Sequence, residues 1–127
     1  MATVDYKNGV LKINDKEFKI PNGYNQEDNM TATGENANIS GADNAKMSRA
    51  TFSNGDKTIV VKYIYIPNSA LSSYHPFSDN PQNKTINDHA GTLEFEKDNT
   101  VVFSYIDNEK LIQINAPDEA TLNEILK

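Results

Sequence analysis

Apolar and polar residues alternate early in the chain. In Val10-Leu11-Lys12-Ile13, Leu11 and Ile13 share one face; in Glu17-Phe18-Lys19-Ile20, Phe18 and Ile20 do the same. Such alternation marks half-buried strands, and Asn14-Asp15-Lys16 between the two runs makes them a hairpin. Asn8-Gly9 is a further turn signal because both residues tolerate positive φ, and Pro21 ends the second strand because it cannot donate to a ladder. Alternation returns at Ala50-Thr51-Phe52-Ser53, followed by the hairpin signal Asn54-Gly55. Over residues 58–66, Ile59, Val61, Tyr63 and Tyr65 fall on one side, with Val60, Ile64 and Ile66 on the other beside Lys62. A strand apolar on both faces is expected to be central and covered from both sides.

Three more strands are predicted at residues 92–96, 100–106 and 110–116. The first points Leu93 and Phe95 inward, the second Val101, Phe103 and Tyr105, the third Ile112 and Ile114. The polar turns Asp98-Asn99 and Asp107-Asn108 make these strands antiparallel neighbours. The period then changes. Pro117 suits a first helical turn, Asp118 and Glu119 favour the positive end of the dipole, and Leu122, Ile125 and Leu126 form an apolar stripe. A helix of about ten residues is marginal alone and must dock that stripe on the sheet. Residues 22–49 and 67–84 show no convincing period and read as long, mobile loops, with a short helix over 42–49 as one option. The expectation is one α+β domain over residues 1–127: a curved antiparallel meander of six to seven strands with one C-terminal helix packed on it.

Composition narrows the function classes. The 127 residues carry a net charge of −6, which repels polyphosphate and argues against nucleic-acid or anionic-membrane binding. With no Cys, disulfides, thiolate zinc, iron–sulfur clusters and Cys catalysis are excluded. No apolar run is long enough to cross a bilayer, and Met1–Gly9 lacks the apolar stretch of a signal peptide. A chain trimmed of a leader or anchor would read the same, in which case an extracellular or cell-surface location is expected. The mean hydropathy of −0.65 is low, yet the apolar residues are clustered, as in a folded core interrupted by polar loops.

The order of certain segments resembles a known type of domain. Phe18-Lys19-Ile20-Pro21-Asn22-Gly23-Tyr24 follows a hairpin strand, Phe52-Ser53-Asn54-Gly55 leads into a β-rich strand, and the run from Tyr105 to Ile114 precedes an acidic helix. This is similar to small uncharacterised β-rich domains of methanogenic archaea, in which an F-x-I-P-x-G-Y strand end recurs, often in surface or membrane-anchored proteins. It also looks like domain-of-unknown-function sheets in secreted and anti-sigma-associated bacterial proteins. The resemblance spans most of the chain except 25–49 and 67–84. It implies a surface location and a non-catalytic role, and carries over no catalytic residue.

Candidate chemistry is sparse. His75 lies near Asp79 and His89 follows Asp88, but neither pair has the spacing that makes a metal motif specific, so both histidines read as solvated polar residues. There is no G-x-S-x-G elbow, no S-x-x-K, no EF-hand loop and no phosphate-binding Gly loop. Glu94 and Glu96 share one face of a strand and read as a solvated, edge-protecting pair. Three N-x-[ST] sequons start at Asn29, Asn38 and Asn83, where about two are expected by accident, and they suit glycosylation only if the chain is exported. Tyr74-His75-Pro76-Phe77 places two aromatics in a polar segment. The reading favoured for it is a plug over one end of the sheet; the alternative is a partner contact through Tyr74, His75 and Phe77.

The expectation is therefore a monomeric non-enzyme, without catalytic, metal or cofactor residues. It presents residues 22–49 and 67–84 to a protein or small-molecule partner and does not insert into a membrane. The alternative is a ligand-binding domain with a pocket between sheet and helix, reached past Tyr63, Tyr65, Phe103 or Tyr105. A third reading, a hydrolase, requires His75 and His89 to approach one another.

Overall fold

In this computed structural model every residue is described except 1–3, 28–31, 38–44, 68, 72–77, 79 and 97–99. The α+β antiparallel class holds, with eleven strands in two sheets and one short C-terminal helix among the described residues. A small sheet holds β1 (Val4–Lys7), β2 (Val10–Ile13) and β3 (Lys16–Lys19), in that order. The large sheet holds β4 (Asn25–Gln26), β5 (Ala32–Asn36), β6 (Lys46–Asn54), β7 (Lys57–Tyr65), β8 (Gln82–Ile86), β9 (His89–Phe95), β10 (Val101–Asp107) and β11 (Lys110–Ala116). Its order is β4-β6-β7-β11-β10-β9-β8, with β5 also pairing along β6. Helix α1 spans Glu119–Ile125.

The expected single meander of six to seven strands is thus corrected in number and in topology. A seven-residue helix is only about 10 Å long, whereas the large sheet is roughly 30 Å across at about 4.8 Å per strand. The helix cannot cover that face, and the small sheet covers what remains. Leu11, Ile13, Phe18 and Ile20 of the N-terminal segment join Phe52, Ile59, Val61, Tyr63, Leu93, Phe103, Ile112, Ile114, Leu122 and Ile125 in one buried cluster. The Tyr6 ring meets Phe52 edge-on at 4.9 Å, fixing the first hairpin against β6. We call this the inner face of the large sheet.

Three further expectations change. The stretch 22–49 contains β4, β5 and the start of β6, and 67–84 contains the start of β8, so neither is loop throughout. Residues 46–49 of the optional helix are strand, because β6 pairs with β7 in unbroken register from Lys46↔Tyr65 to Asn54↔Lys57; residues 42–44 lie outside the described residues. Phe95, expected inward, is 51% exposed, since the register of β8 begins at Gln82↔Leu93 and leaves Phe95 uncovered at the sheet's end. β7 does lie centrally between β6 and β11.

The turns follow residue chemistry closely. Asn8-Gly9, Asn87-Asp88 and Asn108-Glu109 have positive φ at both positions, as two-residue I′ loops demand. The β6–β7 loop is Gly55-Asp56, one residue later than Asn54-Gly55, with Gly55 at φ 63.

The β7–β8 connection has a topological task. Strands β7, β11, β10, β9 and β8 are successive antiparallel neighbours, so β7 and β8 run in the same direction. The chain must return from one end of the sheet to the other while passing three strands. Among its described residues, Ile66, Leu71 and Ser78 touch the outer face. Leu71 donates its N–H to Glu109 O at 3.1 Å, near the end where β7 leaves, and Ser78 donates its N–H to Glu94 Oε2 at 2.7 Å, near the end where β8 begins.

Candidate functional site

Tyr74, His75 and Phe77 lie outside the described residues, as do Asp79 and the sequon residues Asn29 and Asn38. What is placed is their frame, Leu71 on one flank and Ser78 on the other. Asn83, the third sequon residue, is exposed on edge strand β8.

His89 is not a solvated turn residue. It opens β9, and its ring stacks on Tyr105 with centroids 4.5 Å apart and planes 28° from parallel. Gly91 explains this closeness. A Cβ there would sit 2.1 Å from Ser104 O and 2.9 Å from Tyr105 Cβ, so only glycine admits the approach of β10. Burial drives the Tyr105 phenol well above its ordinary 10.0, with the Asp107 carboxylate adding to the effect.

At the same end of the inner face lies a charged knot. Tyr63 Oη donates to Asp15 Oδ1 at 3.1 Å, and Lys16 Nζ lies 3.6 Å from Asp15 Oδ2 and 3.2 Å from Asp107 Oδ2. Burial raises the Asp15 pKa, but its own backbone N–H, Lys16 and Tyr63 together outweigh this and leave it below 3.8. Burial raises Tyr63 above 10.0, the Asp15 carboxylate adding to this and Asn14 opposing it. Each group is matched by another, so the knot ties the β2–β3 turn to β7 and β10. Its chemistry is structural.

The outer face divides in two. Near the end where β7 leaves, Ile64, Leu111, Leu71 and Ala45 form a second buried cluster, with Ala37, Met47, Ile66 and Ile106 packed against it. Ala37 and Ala45 flank the β5–β6 connection, tied by Ala37 N–H to Ala45 O at 2.9 Å; Ile66 and Leu71 belong to the β7–β8 connection. The two long segments singled out from sequence are therefore brought together on one apolar base.

The middle of the outer face is polar. Arg49, Lys62 and Gln113 stand in register on β6, β7 and β11, and Ser104 and Thr92 continue the row on β10 and β9. Gln113 Nε2 donates to Ser104 Oγ at 3.1 Å, and Asn115 Nδ2 donates to Glu96 Oε1 at 3.0 Å. Between them lies a hollow of about 150 Å³ lined by Lys62, Glu96, Val102, Gln113 and Asn115. Arg49 Nη2 is matched by Glu35 at 3.5 Å, while the Lys62 ammonium has no ion pair or hydrogen bond among the described residues. Glu94, expected to be solvated, is 1% exposed, and its Oε1 has no hydrogen-bond partner among the described residues. Alternation alone does not reveal this burial, because the cover comes from a connection distant in sequence.

Among the described residues no group of three or more His, Asp or Glu side chains could hold a metal ion, and no helix is long and apolar enough to cross a membrane. No family model matches the chain, and no curated protein or solved structure matches it either.

Proposed function

We propose that the chain is a non-catalytic interaction domain that presents its β5–β6 and β7–β8 connections jointly to a partner, in the cell-surface or secreted setting that the resemblance to methanogen β-rich domains implies. The observation that carries this reading is the shared apolar base: Ala37 and Ala45 from one connection and Ile66 and Leu71 from the other pack on Ile64 and Leu111. Segments held at their flanks by a rigid sheet lose less conformational freedom on binding than free loops do. Tyr74, His75 and Phe77, between Leu71 and Ser78, are the aromatic anchors of this reading. The sheet–helix pocket has no such support, because Tyr63, Phe103 and Tyr105 are core residues.

The test is cross-linking capture from source cells with the wild type and with a Tyr74→Ala/Phe77→Ala variant whose circular dichroism is unchanged. A species captured by the wild type and lost by the variant supports the proposal. Equal capture by both counts against it.

A further inference from the structure

The outer-face hollow holds two opposite charges that do not meet. Lys62 lies on central strand β7, where cross-strand register places it directly opposite Arg49, a like-charge pairing that costs stability. Arg49 is compensated by Glu35; Lys62 has no compensating partner among the described residues. Glu96 is held in place by Asn115 Nδ2 at 3.0 Å and by Thr100 Oγ1 at 3.2 Å, both neutral donors, and no cation meets its charge among the described residues. Gln113 is oriented by Ser104. Groups fixed in place before a ligand arrives bind without a large ordering cost. The larger hollow on the β8–β9 hairpin, about 460 Å³, differs because its cation, Lys84, is already paired with Glu119.

We propose that the hollow bounded by Lys62, Gln113, Asn115, Glu96 and Val102 binds a small amphoteric molecule carrying one carboxylate and one ammonium group, the chemical class of free α-amino acids. Lys62 takes the carboxylate, Glu96 takes the ammonium, and the amides of Gln113 and Asn115 set its orientation over Val102. A simple anion is repelled by Glu96 and a simple cation by Lys62. A hollow of about 150 Å³ is of a size for a small molecule such as glycine or alanine.

Titration of the ¹⁵N-labelled protein at constant ionic strength tests this, with glycine and alanine as probes and acetate and methylammonium as their separated halves. Saturable shifts at Lys62, Val102, Gln113 and Asn115 are expected for the amino acids, with a dissociation constant of order 1 mM for so few atoms. Each half alone should bind about tenfold more weakly or worse. Lys62→Met should weaken glycine binding about tenfold, and Glu96→Gln should weaken glycine while strengthening acetate. Lys62→Gln serves as a second variant if Lys62→Met does not fold. An absence of saturable shifts, equal binding of acetate and glycine, or undiminished binding by a folded Lys62 variant would overturn the proposal.

Discussion

At the residue scale, three asparagines have a backbone purpose: Asn8, Asn87 and Asn108 open I′ loops at positive φ. Gly91 has a different one. Replacing it with Ala forces a Cβ against a carbonyl oxygen of the paired strand, which cannot move without breaking the ladder. Gly91→Ala should therefore cost about 3 kcal/mol, read as a lowered urea midpoint. Asp118 caps α1, accepting from Thr121 N at 2.8 Å and Thr121 Oγ1 at 2.6 Å, and these two bonds lower its pKa below 3.8. Asp118→Ala should cost about 1 kcal/mol at neutral pH. Because the folded-state pKa is depressed, that difference is present above the ordinary aspartate value. It should shrink as pH falls through the lowered one, which paired midpoints at neutral and acid pH would record.

At the element scale, the strands with several buried apolar residues were mostly legible, whereas β1, β4, β5 and β8 were not. β2, β3, β6, β7, β9, β10 and β11 carry alternating apolar residues, and the sequence shows them. β5 reads Ala-Thr-Gly-Glu-Asn and β8 reads Gln-Asn-Lys-Thr-Ile. Both lie at sheet edges, where one neighbour suffices and polar composition guards against aggregation, so the period-two signal is absent. The candidate site was hidden for a related reason. Lys62 lies on β7, Gln113 and Asn115 on β11, and Glu96 just past the end of β9; they meet only because β11 lies beside β7, which no local pattern announces. In the β7–β8 connection Leu71, outside every predicted strand, is buried against Ile64 and Leu111. Leu71→Ala should cost about 2–3 kcal/mol, a core-sized loss for a connection residue, measured by chemical denaturation.

At the scale of the whole molecule, both sheets and the helix draw on one cluster, so none is expected to unfold separately. Leu11→Ala, in the small sheet, should lower stability by about 3 kcal/mol. It should also shift the far-ultraviolet circular dichroism and tyrosine fluorescence midpoints together, the latter drawing on Tyr6 of the small sheet as well as Tyr63 and Tyr105 of the large one. Two separated midpoints would show that the fold does not unfold as one unit.

The placement of β11 beside β7 also matters while the chain is being made. Ile64 meets Leu111 across that ladder, 47 residues further along the sequence. At about 5–20 residues per second, roughly 2–9 s of translation separate the emergence of β7 from that of its inner neighbour. During that interval β7, one of the two longest strands, has only β6 along one edge and an open row of amides and carbonyls along the other. Chaperone dependence and inclusion-body formation at high synthesis rates should trace to this wait, more than to any weakness of the finished fold.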